Sequence, residues 1–245
     1  MSLRNALRAA SAIAIVAGTA AQADTITIAT VNNGDMIRMQ GLTEDFTAKG
    51  GQFDIMTIGM YETPIWAKNG WLVPLNDLGD DYDVGDLLPA MKNGLSYEGT
   101  LYAAPFYGES SMIMYRTDLM EKAGLTMPDA PTWEFVADAA RKMTDKSGEI
   151  YGICLRGKAG WGENMAFLTA TANAFGARWF DEDWQAQFDQ PAWKEALTFY
   201  LDLMKDAGPP GASNNGFNEN LSLFQQGKCG MWIDATVAAS FVTNP

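Results

Sequence analysis

The segment RGKAGWGENM brings Arg156, Lys158, Trp161, Glu163 and Asn164 together around three glycines. A guanidinium and an ammonium donate, a carboxylate accepts, an amide does both, and an indole offers a flat apolar face. Such a set suits a small molecule dense in hydroxyls with weakly apolar C–H faces. Similar residue types recur elsewhere. Tyr107, Glu109 and Ser110 stand in APFYGESS, Asn33 and Asp35 follow one apolar run, and Tyr61 and Glu62 follow another. Trp179 is a further aromatic candidate, whereas Trp184 is expected to pack. Each reading has a plainer alternative. Loop acids such as Asp35, Glu62 and Glu163 are commonly solvated, Tyr107 and Trp161 could be partly buried anchors, and Arg156 with Asp234 could form a structural ion pair.

Catalysis is a weaker reading than binding. The chain has no histidine, which removes Ser-His-Asp and Cys-His nucleophiles and imidazole metal sites together. Glu109 and Glu163 could act as the two carboxylates of a glycosidase, their separation setting retention or inversion. In so acidic a chain, however, paired acids arise readily by chance. Cys154 and Cys229 are the only cysteines and neither sits in a CxxC pair. One disulfide and two buried thiols are both open. No cofactor and no metal is expected.

These residues need elements to position them. TITIATV from Thr25 reads as a strand, a helix-like stretch runs through Met36, Met39, Leu42 and Phe46, and FDIMTIG at 53–59 reads as a second strand. This order is a βαβ unit with parallel strands, whose carboxyl edge is the ligand end. Thr63 is expected to cap a short helix that begins at Pro64 and stops at Gly70. SMIMY is continuously apolar, as a strand buried on both faces would be. DLMEKAG is a short helix ending at Gly124-Leu125, and Thr132 caps a longer one with Val136, Ala139, Ala140 and Met143 on its inner face. A later helix is expected to bury Trp193, Leu197, Tyr200 and Met204. FNENLSLFQQGKCGMWIDA reads as a helix to Gly227 and a strand through MWI, which leaves Asp234 at the strand's carboxyl end. Alternating strands and helices make an α/β protein.

The 245 residues, 47% hydrophobic and 19% charged, lie in the globular range and suffice for one large or two small domains. Residues 1–23 read as a secretory signal: Arg4 and Arg8, an apolar run, then Ala21-Gln22-Ala23. The run is too short and too rich in small residues to span a bilayer, and no cysteine follows it to carry a lipid. A free periplasmic monomer starting near Asp24 is therefore expected, in a two-membrane bacterium. The net charge of −13 makes nucleic acid a poor partner.

YRTDLMEKAGL followed by PTWEFVADAARKMT resembles the periplasmic solute-binding proteins of ABC importers, in the carbohydrate branch that includes maltose-binding protein. More narrowly, TIGMYETPIWAKNGWLVPL, ICLRGKAGWGENMA and KCGMWIDATVAAS look like the sorbitol/mannitol-binding subgroup. The resemblance implies a periplasmic-binding-protein-like, two-lobe α/β fold, with residues 24–108 in lobe 1 and 109–245 in lobe 2. It implies hinged closure around a polyol or related sugar, delivery to the permease subunits of an ABC transporter in the inner membrane, and no chemistry on the solute. By the same resemblance Trp232 and Asp234 line the second lobe's wall. Two departures make the fold incomplete relative to the family: the junction near Gly50, where relatives carry a further strand and helix, and the stop at Pro245.

Overall fold

The computed structural model describes residues 28–29, 55–79, 81–160 and 162–243. The chain divides into two units, residues 1–106 and 107–245. Of the expected first strand only Ile28 and Ala29 are among the described residues, and the expected helix through Met36 and Phe46 lies outside them.

In the first unit β1 (Ile28–Ala29) pairs in parallel with β2 (Ile55–Met56). α1 (Glu62–Lys68) follows, and it starts two residues earlier than its threonine suggests. Tyr61 is the N-cap, Thr63 lies buried in the first turn donating to the Gly59 carbonyl at 2.8 Å, and Glu62 accepts from the Gly59 amide at 2.9 Å. The two bonds fold residues 59–63 into a closed turn, which settles the helix start in place of a threonine cap. α2 (Pro89–Gly94) opens on a proline, and β3 (Ser96–Tyr97) and β4 (Thr100–Leu101) form a hairpin. Its two-residue turn, Glu98-Gly99, has φ of 49° and 80°, the backbone that matches strand twist.

The second unit holds a three-stranded sheet. β5 (Ser111–Tyr115) leads into α3 (Thr117–Lys122) and α4 (Trp133–Met143); β6 (Tyr151–Cys154) leads into α5 (Asn164–Ala174) and α6 (Pro191–Ala207). α7 (Phe217–Gln225), β7 (Cys229–Ala235) and α8 (Ala239–Val242) complete it. The order is β5-β7-β6, with β7 antiparallel to β5 and parallel to β6. SMIMY is therefore a strand as expected, but an edge of the described sheet rather than a strand buried on both faces, and Ser111 and Tyr115 are exposed.

Local signals did set the helix ends. Thr132 accepts from the Phe135 amide at 3.2 Å, and α3 ends as read, with the Gly124 amide on the Glu121 carbonyl and the Leu125 amide on the Met120 carbonyl. Gly124 sits at φ 69°, where an L side chain would strain the backbone.

Helices cover both faces of the sheet. Met231 and Ile233 of β7 and Ile153 and Leu155 face α4 and α6, packing on Val136, Ala139, Ala140, Met143, Tyr200 and Leu203. Met114, Cys154 and Trp232 face the other way, against Phe217, Leu221 and Phe224 of α7. α6 is rotated from the expected face: Ala196, Tyr200, Leu203 and Ala207 are buried, while Leu197 is 42% exposed. The small alanines let the helix approach its neighbours closely, which hydropathy alone does not register. A disulfide joins Cys154 to Cys229, resolving the two open readings of the pair.

Candidate functional site

Strand register creates the central contact of the second unit. Cys154 lies opposite Trp232 in the parallel β6–β7 pair. Two residues further along each strand, on the same face, Arg156 therefore meets Asp234. The pair is bidentate, Nε to Oδ2 at 2.9 Å and Nη2 to Oδ1 at 2.5 Å. Asp234 also accepts from the Trp232 indole at 3.0 Å and from the Ala235 amide at 2.7 Å. Its side chain is 1% exposed and that of Arg156 14%. Arg156 Nη1 donates to the Gly162 carbonyl at 2.8 Å and reaches Glu163 Oε2 at 3.5 Å. Burial opposes the guanidinium's charge, but the bonds and charges of Asp234 and Glu163 outweigh it, and the Arg156 pKa lies above its usual value.

Supporting groups hold this cluster. The Arg156 carbonyl accepts from the Tyr200 hydroxyl at 2.6 Å, and burial pushes that phenol's pKa up to about 12. Phe217 lies under the guanidinium, with its ring centre 5.3 Å from Cζ, a cation–π contact. Beside the end of β7, Glu109 Oε2 accepts from the Thr236 hydroxyl at 2.9 Å and the Val237 amide at 3.0 Å. The Thr236 amide in turn donates to the Ser110 carbonyl. Glu109 and Ser110 thus sit where β5 begins and β7 ends, the carboxyl edge at which α/β sheets carry ligands.

The structure brings together Arg156, Glu163, Trp232 and Asp234, with Glu109 and Ser110 at the neighbouring turn. Asn164 opens α5, its amide on the Lys158 carbonyl, and Tyr107 is half-buried. The remaining candidates are placed differently. Lys158 turns toward Glu219, 3.6 Å away. Trp232 is fully buried against Phe217 and Phe224, so it orients Asp234 and cannot present a ring face to a solute. Trp179 belongs to an aromatic cluster with Phe188 and Trp193. Trp184, expected to pack, is 79% exposed and lies against Phe180 with ring centres 5.7 Å apart, in a hairpin where the Asp183 and Gln185 amides bond Asp181. Tyr61 and Glu62 lie in the first unit, Tyr61 being 74% exposed. Asn33, Asp35 and Trp161 lie outside the described residues.

Phe217 and Thr236 were missed by sequence reasoning, and Tyr200 was read only as a buried residue of its helix. Only Phe217 left a signal, as the aromatic that follows Gly216 at the start of a helix. A cavity of about 640 Å³ opens beside Tyr151 and Lys228, at the opposite end of β6 and β7. It is lined by none of the site residues singled out above. Among the described residues no group of three or more His, Cys, Asp or Glu could hold a metal.

Similarity to known proteins shows the family of the chain. The family model for bacterial extracellular solute-binding proteins matches residues 8–244. The chain is 53% identical to the mannitol-binding protein of Pseudomonas aeruginosa, over 91% of this chain and 57% of that protein. It superposes at a TM-score of 0.83, with 65% identity, on an ABC transporter solute-binding protein from Agrobacterium vitis with bound D-mannitol, covering 90% of this chain and 60% of that one. At 21% identity a Thermotoga lettingae solute-binding protein shares the fold, with a TM-score of 0.72. The chain thus spans less than two thirds of the length of these two mannitol-binding relatives. The chain belongs to the bacterial extracellular solute-binding protein family.

Proposed function

We propose that this chain is the solute-capturing component of an ABC importer and that its solute is a linear polyol such as mannitol. The observation that carries the reading is the 65% identity, at a TM-score of 0.83, to a protein holding D-mannitol. The site chemistry agrees with it: Glu163 and Glu109 offer acceptors, Arg156 offers donors, Asp234 holds the guanidinium in place, and all lie at the sheet's carboxyl edge. Residues 1–23 act as a signal that is removed, and the mature protein works unlipidated in the periplasm. It hands the solute to the membrane permease unaltered, with no turnover.

Thermal-shift titration of residues 24–245 with mannitol, sorbitol, maltose and glutamate tests this. A rise in melting temperature for the polyols alone is expected, since ligand that binds only the native state adds RT ln(1 + [L]/Kd). The rise should be nearly independent of salt, because the solute is neutral. A cooperative melt that no polyol moves would refute the proposal.

A further inference from the structure

Each cation of the loop after β6 is already claimed by a carboxylate of the chain. Arg156 has Asp234 on two of its nitrogens and Glu163 near the third, and Lys158 faces Glu219. The Glu163 head occupies a defined seat. It lies between Arg156 Nη1 and Gly216, the residue that caps α7, where a Cβ would stand 2.5 Å from Oε2 and 2.8 Å from Oε1. The missing side chain makes the room, and the guanidinium together with the helix start supplies positive potential for a carboxylate.

A solute anion would find this seat filled. One guanidinium stands there against two carboxylates, so a second anion meets net repulsion in a partly desolvated place, where charge interactions are several times stronger than in water. A hydroxyl meets no such opposition, since it can donate to the carboxylates.

We infer that Glu163 is a specificity-determining residue that makes the site reject anionic solutes, such as sugar acids, in favour of uncharged polyols. The inference rests on the reading that the Arg156 cluster faces the solute. Glu163 fills the anion's place from within the chain, and Gly216 keeps that place open for it.

The test compares gluconate, a linear polyol bearing a carboxylate, with mannitol, by calorimetric titration of the parent chain, Glu163→Gln and Gly216→Ala. Glu163→Gln removes the charge at constant shape. Gly216→Ala keeps the charge but pushes the carboxylate head from its seat, and its backbone at φ −101° accepts alanine. The parent should bind mannitol and reject gluconate. Both variants should bind gluconate about tenfold more tightly than the parent or better, with the gain shrinking as salt is added. If Glu163→Gln does not melt cooperatively, Gly216→Ala alone decides. Gluconate affinity that neither variant raises overturns the inference, whatever mannitol does, and so does a parent that binds both equally. A gain in gluconate binding with no mannitol binding by the parent would uphold the charge filter while refuting the polyol proposal.

Discussion

Replacing Asp234 by alanine should destabilise the chain by about 3–5 kcal/mol, the cost of stripping a buried charge of its partner. Asp234 accepts twice from Arg156, once from the Trp232 indole and once from the Ala235 amide. Its removal leaves Arg156 with Glu163 as its nearest carboxylate, at 3.5 Å. It also strands the indole N–H of a tryptophan with no exposed surface, a loss on the order of 1–3 kcal/mol that is partly contained in the first figure. For a chain of this size the sum corresponds to a fall of roughly 10–15 °C in melting temperature. Urea and thermal unfolding followed by circular dichroism would measure it. Arg141→Ala is the control: its pair with Asp206, at 3.0 Å, is about half exposed on both sides and should contribute under about 1 kcal/mol. Arg156→Met with Asp234→Leu should recover much of the loss, because apolar groups replace both charges. The reasoning is refuted if Asp234→Ala melts as close to the parent as Arg141→Ala does.

Two further outcomes follow from the same surroundings. The Tyr200 phenol titrates near 10.0 when unfolded and at about 12 when folded, so its stabilisation is complete below pH 10 and is lost as pH rises toward 12, by on the order of 1–2 kcal/mol after solvent screening. Urea midpoints across that window should fall more for the parent than for Tyr200→Phe, and equal slopes would refute the assignment. The disulfide spans 75 positions, so replacing both cysteines by alanine should lower the unfolding free energy by up to about 4 kcal/mol through chain entropy; an unchanged urea midpoint would count against it.

What could be read from the sequence was what nearest neighbours decide. The Gly124-Leu125 ending, the Thr132 cap and the buried stripe of α4 each depend on residues within one or two turns. Thr63 misled because Glu62 bonds the Gly59 amide three residues back, as the acid of a capping box does, and moves the helix start. The α6 face was misplaced because Ala196 and Ala207 are buried for their small size, while bulky Leu197 stays outside. SMIMY has an interior composition, yet its position at the edge of the described sheet follows from pairing with a strand far along the chain. Residue types named Arg156 and Glu163 as site candidates, and the family resemblance added Asp234. Only the β6–β7 register shows that two of them meet, and the strand at Tyr151 was not foreseen. Trp232 was identified for the right segment with the wrong role, since the alternation of β7 points it inward.

The place of β7 in the sheet has a consequence for how the chain assembles. It is the partner of both β5 and β6, through contacts that join Ser110 to Thr236, 126 positions apart, and Arg156 to Asp234, 78 apart. During synthesis or passage through a membrane pore, SMIMY and YGIC emerge first and wait for Cys229–Ala235, with their apolar edges unprotected. The layer closes in one late event. Another copy offering its own unpaired strand competes with that event, so the yield of native protein is set by chain concentration during the wait.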